Sequence, residues 1–186
     1  LVGALARRGA EGVGPLTVVS CENLGENGRL VSKIVLDFAN LIDPSLAQWI
    51  AGNARFPATM GDRITPATTP KDIARVAART GRYDGAPVLH EPFRQWVIED
   101  NFVEGVRPDF EAVGIEMVKD VTGFEQMKLR MLNGSHSALA YLGYLAGHET
   151  VSDTVADPAF TAYVRQLWGE IMPVVRAPQG FDLHDY

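Results

Sequence analysis

The apolar positions of this chain change period as the sequence is followed. Leu16 to Ser20 (LTVVS) is a short β-branched run behind Gly14 and Pro15, and it reads as a buried strand. From Gly28 to Leu41 the repeat lengthens to that of a helix. Leu30, Ile34, Phe38 and Leu41 fall on one face, with Asn27 placed to cap the start. Asp43-Pro44 opens another short helix, because proline tolerates the first helical position. Phe56 to Pro70 (FPATMGDRITPATTP) carries proline and glycine without a period and reads as a loop. Thr69-Pro70 starts a helix that Gly81 ends.

Further along, Gln95 to Asp100 (QWVIED) reads as a strand, with a second over Ala112 to Val118. Asp120 or Thr122 caps the longest helical pattern, Phe124 to Leu145, stopped by Gly147. Asp157-Pro158 begins a last helix, which Pro173 ends. The opening residues, LVGALARRGAEG, read as the end of a helix running into a Gly-rich turn. Both ends of the chain read as cut. The expected fold is mostly α with a small β component.

Composition narrows the partners. The 186 residues carry a net charge of -6, so no basic stripe is available to offset phosphate repulsion by nucleic acid or an anionic membrane. The apolar runs are too short to span a bilayer. Cys21 is the only cysteine, which excludes an internal disulfide and suits a reducing, cytoplasmic setting. His90, His136, His148 and His184 form no HxH, HxxxH or HExxH pair, so no metal is expected, zinc included.

One helical segment breaks the amphipathic rule. On an ideal wheel with Lys128 at zero, Leu132 falls at ~40°, His136 at ~80°, Leu129 at ~100° and Asn133 at ~140°. Three polar groups therefore share an arc with leucines. Burying an ammonium there costs several kcal/mol unless it is paired or neutral. A neutral amine can act as a general base, an amide N–H can steady an alkoxide, and an imidazole can orient an oxygen. These are parts for oxidising a secondary alcohol. The plainer readings stand beside it: an edge lysine snorkelling to water, a core histidine, an Asn-Gly pair that eases packing.

These residues carry a family resemblance. KLRMLNGSHS, Lys128 to Ser137, closely resembles the signature of the mannitol dehydrogenase family, whose members include mannitol 2-dehydrogenases and fructuronate reductases. The family pattern K-x4-N-x2-H is matched by Lys128, Asn133 and His136. TVVSCENLGENG resembles the stretch after the last strand of the family's nucleotide domain, with Asn23 at the position of an oxyanion-hole asparagine and Asn27 at that of a capping one. FPATMGDRITP resembles a loop carrying an Asp-Arg pair, here Asp62 and Arg63, and WVIEDNF resembles a further block.

The resemblance implies a helical catalytic domain of a long-chain dehydrogenase, preceded by the last strand of a Rossmann-type sheet. Residues 1–25 would be the tail of the nucleotide domain and 26–186 the catalytic portion, incomplete at its C-terminus. It implies metal-independent, NAD- or NADP-dependent interconversion of a polyol or sugar acid and its ketose, by a monomer or weak dimer. Lys128 would be the acid/base, with Asn23, Asn133 and His136 about the reacting oxygen and Asp62 and Arg63 on substrate or the nicotinamide ribose. One departure is large: no G-x-G-x-x-G follows a strand, so the main cofactor site is expected outside these residues and the chain alone is expected to be inactive. The rival of a different class is a non-catalytic helical binding or regulatory module on the same scaffold.

Overall fold

The structure, a computed structural model, describes residues 1–178 and 180–186. It is mostly helical, with one small sheet, and it divides into two compact units. The first comprises residues 1–23 and 27–118; the second comprises 24–26 and 119–186.

In the first unit, α1 (Val2–Ala10), α2 (Asn27–Ile42) and α3 (Pro44–Asn53) enclose a core of Val2, Leu5, Val35, Ala39, Ala47, Ile50 and Ala54. α3 begins as expected, with the Asp43 carboxylate accepting the Ser45 N–H at 2.8 Å. The Leu30, Ile34, Phe38 and Leu41 stripe of α2 is exposed. The core instead takes Val35 and Ala39, one position further round the helix, where small side chains let α1 and α3 approach.

Asn27 does not cap α2. It lies inside the helix, 1% exposed. Its Nδ2 donates to the Glu22 and Thr59 carbonyls at 2.9 and 3.0 Å, and its Oδ1 accepts the Thr59 N–H at 2.9 Å. Its oxygen points across to the Thr59 backbone and not at the N–H groups of its own helix. Gly28 follows for a steric reason, because a Cβ there would lie 2.5 Å from the Phe56 carbonyl oxygen.

Three short strands pair in the order β1-β2-β3: β1 (Thr59–Asp62), β2 (Gln95–Glu99) and β3 (Glu116–Val118). β1 runs antiparallel to β2, and β3 parallel to it. β2 is the expected strand, and β3 is the C-terminal end of the expected second one. β1 lies within the stretch expected to be loop. Its four residues are too few to show a period, and pairing with β2 creates the strand.

The expected strand at Leu16–Ser20 is reduced to a single parallel bridge, Thr17 with Arg55. Val18 N–H donates to Arg55 O and Arg55 N–H to Leu16 O. The next rung would need an N–H from residue 57, which is proline, so the ladder stops. Among the described residues the small sheet is β1–β3, and residues 16–20 contribute this one parallel bridge outside it.

α4 (Pro70–Thr80) has the expected ends: a Thr69/Asp72 capping box and Gly81 in the left-handed region at φ 69°. The second unit contains α5 (Thr122–Met127), α6 (Gly134–Leu145), α7 (Val151–Ala156) and α8 (Pro158–Ile171), with a 3-10 turn over Met172–Val174. Asp157 caps α8 through the Ala159 N–H at 2.8 Å, as its sequence announces. No side chain caps α5; the Asp120 carboxylate accepts the Thr122 N–H one position too early to be the N-cap.

The expected single helix over residues 124–145 is interrupted. Lys128–Asn133 forms a six-residue π-helix between α5 and α6. Among the described residues, no helix is long and apolar enough to cross a membrane.

Candidate active site

The signature lysine lies at the start of the π segment. Lys128 is 6% exposed, while its neighbours Leu129 and Leu132 are each 43% exposed. This reverses the ideal wheel, which placed the amine on the leucine face. The 100° step assumes i→i−4 bonding, whereas the Gly134 N–H reaches back to Leu129 O, an i→i−5 bond. Within the π segment Lys128 and Met131 are buried and the two leucines are exposed. π turns are rare and concentrate at functional sites, because they re-aim side chains that a regular helix would place elsewhere.

Asn133 ends the π segment, half-buried, and His136 stands exposed on the first turn of α6. His136 lines a cavity of about 450 Å³ with Met131, Leu132, Phe160, Trp168 and Tyr186. The cavity is the second unit's own and mostly apolar; Lys128 and Asn133 are not among its lining residues.

Glu125 went unnoticed in the sequence. It is 7% exposed, three positions before Lys128, and its Oε1 accepts the Glu26 N–H at 2.9 Å. Positions three apart on a helix share a face, so two buried ionisable side chains, Glu125 and Lys128, occur one turn apart. The only sequence signal was that spacing, which surface ion pairs share.

The other expected site residues belong to the first unit. Asn23 is exposed in a bend, its N–H donating to the Glu22 carboxylate at 3.1 Å. Asp62 closes β1, half-buried. Arg63 spends its guanidinium on loop backbone, donating from Nε to Phe93 O at 3.1 Å and from Nη2 to Pro92 O at 3.5 Å.

A dinucleotide needs a seat for its pyrophosphate, and the glycine-rich turn offers a poor one. Gly12 and Gly14 take φ of 65° and 84°, but they follow the C-terminal end of α1. Carbonyls, the negative end of the helix dipole, point toward that turn. The described residues there do not fit a bound pyrophosphate.

Comparison with known proteins agrees with this arrangement of motifs. Residues 1–112 match the mannitol dehydrogenase Rossmann domain, and residues 120–186 match the mannitol dehydrogenase C-terminal domain. The chain belongs to the mannitol dehydrogenase family. The family's two domain models meet between residues 112 and 120, near the division of the structure at Val118 and Lys119.

Among family members, D-mannonate oxidoreductase of Escherichia coli (strain K12) is 51% identical over 187 residues. That similarity covers 100% of this chain and 38% of the relative. The crystal structure of D-sorbitol dehydrogenase in substrate-free form superposes with a TM-score of 0.92 at 40% identity, covering 100% of this chain and 38% of that one. The Pseudomonas fluorescens mannitol 2-dehydrogenase ternary complex with NAD and D-mannitol gives 0.85 at 43% identity, with the same coverage. The chain thus spans 38% of the length of these mannitol dehydrogenase relatives.

Proposed function

We propose that this chain supplies the acid/base and oxyanion groups of an NAD(P)-dependent, metal-independent polyol or sugar-acid dehydrogenase. The observation that carries the reading is the π segment, whose first residue is a buried lysine and whose last is the signature asparagine. The relatives add to it: one is named for mannonate, and one was solved with NAD and D-mannitol.

In the oxidative direction the Lys128 Nζ takes the proton of a secondary hydroxyl. Amide N–H groups of Asn133 and Asn23 donate to the oxygen as negative charge grows on it, and such donors are typically worth ~3 kcal/mol each. His136 orients the same oxygen, while Asp62 and Arg63 contact the substrate or the nicotinamide ribose. In the reductive direction the Lys128 ammonium protonates the oxygen of the ketose. The nicotinamide, when bound, accepts or supplies the hydride. Its pyrophosphate is held by parts of the protein beyond the residues described here, so the 186-residue chain by itself turns over negligibly.

The test is Lys128→Ala in the full-length protein. Turnover falls by ~10² to 10⁴-fold, the range supplied by acid/base groups, while NAD(P) affinity is unchanged because no proton moves on cofactor binding. Near-normal turnover, or a loss traced to weaker cofactor binding, makes Lys128 structural and ends this reading.

A further inference from the structure

The π segment is tethered from both sides by α8 and the turn that follows it. Arg130, within the segment, donates from Nη1 to the carbonyl of Val174 at 3.0 Å. Just past its end, the indole N–H of Trp168 donates to the Ser135 hydroxyl at 2.7 Å. Ser135 is buried, 6% exposed, and it stands between Asn133 and His136 with only Gly134 before it. These bonds span 44 and 33 residues of sequence, so they are tertiary devices and not part of helix formation.

We propose that Trp168 is a positioning residue for the proposed alcohol-oxidising site, and that its bond to Ser135 fixes the rotation at which α6 leaves the π turn. The inference rests on the functional reading given above. A π turn carries one more residue per loop of hydrogen bonding than an α turn and relaxes toward α unless its surroundings hold it. If α6 turns about its axis relative to the π segment, the His136 imidazole and the Asn133 amide swing away from the oxygen that Lys128 serves.

The Trp168–Ser135 bond resists that rotation at the residue between them. An indole N–H can only donate, and a half-buried one needs an acceptor, so the pairing with a serine hydroxyl is directional. The ring itself packs against the cavity that His136 lines. Its bulk and its N–H are therefore separable, and Trp168→Phe keeps the first while removing the second.

The experiment is a double-mutant cycle in the full-length protein: Trp168→Phe, Ser135→Ala and the pair, with Lys128→Ala as reference. Turnover, KM for the polyol, cofactor Kd and thermal midpoint are measured for each. Trp168→Phe and Ser135→Ala each lower kcat between about 10- and 100-fold, the loss that follows a misplacement of about 1 Å or less. The pair is no worse than either single change, because one bond is lost in all three. Cofactor Kd stays near that of the parent, and the kcat loss persists at temperatures well below each variant's midpoint, where every molecule is folded; a merely structural contact would lower the midpoint and leave kcat per folded molecule intact.

Single variants within twofold of the parent in kcat, or losses that multiply in the pair, overturn the proposal while the Lys128→Ala loss still upholds the function. Retained turnover in Lys128→Ala overturns both. Should Trp168→Phe fail to fold, the smaller Ser135→Ala change decides alone.

Discussion

α4 and the segment from Thr122 to Leu145 are both helical, and they are built on opposite principles. α4 is closed by its own neighbours in sequence: the Thr69 hydroxyl and the Asp72 carboxylate form the capping box, and Gly81 turns the chain out. None of its residues is buried. The Thr122–Leu145 segment has no side-chain cap at its start and changes to π bonding in its middle. It buries Glu125 and Lys128 and is held through Arg130 and Ser135 by residues far along the chain. The first helix spends its sequence on being a helix. The second departs from the regular form at the residues proposed to carry the chemistry, and distant parts of the fold hold it there.

The sharpest way to break this contrast is to remove one residue from each helix. Deleting Leu132, an exposed position of the π segment, leaves a spacing that closes as a regular α turn. Helix content by circular dichroism stays constant, while Lys128 loses its register with Asn133 and His136. Turnover of the full-length protein falls by more than ~10²-fold, since even 1 Å of misplacement costs that much. Deleting Ala78 disturbs α4, none of whose residues is buried, so turnover is unchanged. An active Leu132 deletion would mean that the π geometry is incidental.

The same contrast explains what the sequence disclosed. α3, α4, α8 and the strand at Gln95–Glu99 were legible because their signals are local: Asp-Pro and Thr-Pro starts, a glycine stop, a β-branched run. The π segment was not, because the bonds that bracket it, Arg130 to Val174 and Trp168 to Ser135, reach residues far along the chain that no local period encodes. The motif still named Lys128, Asn133 and His136, although the wheel used to group them assigned the lysine to the wrong face. β1 was missed because it exists through its partner. The Leu16–Ser20 run was over-read because Pro57, not its own composition, limits its ladder.

The two asparagines near residue 25 extend the comparison to smaller effects. Asn27 is structural, so Asn27→Ala leaves the Thr59 N–H and carbonyl without their partner. A buried polar group left unmade costs ~1 to 3 kcal/mol. A lowered midpoint in urea, with kcat per folded molecule intact, is the expected result. Asn23 is exposed and proposed as an oxyanion donor. Asn23→Ala keeps the midpoint and lowers kcat by ~10²-fold, as loss of such a donor does. A loss of stability at Asn23 with turnover preserved would exchange the two roles.

The smallest effect belongs to α4 and is read by pH. Thr69→Ala removes the hydroxyl half of the capping box and costs ~1 kcal/mol, without touching turnover. In the intact box the Thr69 hydroxyl donates to the Asp72 carboxylate at 2.7 Å, and its backbone N–H adds a second bond at 3.0 Å. These bonds, the hydroxyl's first, hold the Asp72 carboxyl below the ordinary aspartate value; the Arg75 charge adds less. A carboxylate whose folded value is depressed favours the folded form at every pH above its unfolded value. That contribution fades as pH falls through the depressed one. Amide exchange over residues 71–80 should therefore be flat above the ordinary aspartate range and quicken, beyond its intrinsic pH trend, as acid protonates Asp72. In Thr69→Ala the Asp72 titration, followed by side-chain carbonyl shifts, moves back toward the ordinary value, because the larger of the two bonds is gone. An unmoved titration would show that the box does not set the carboxyl, and the helix taken here as locally determined would need a distant support of its own.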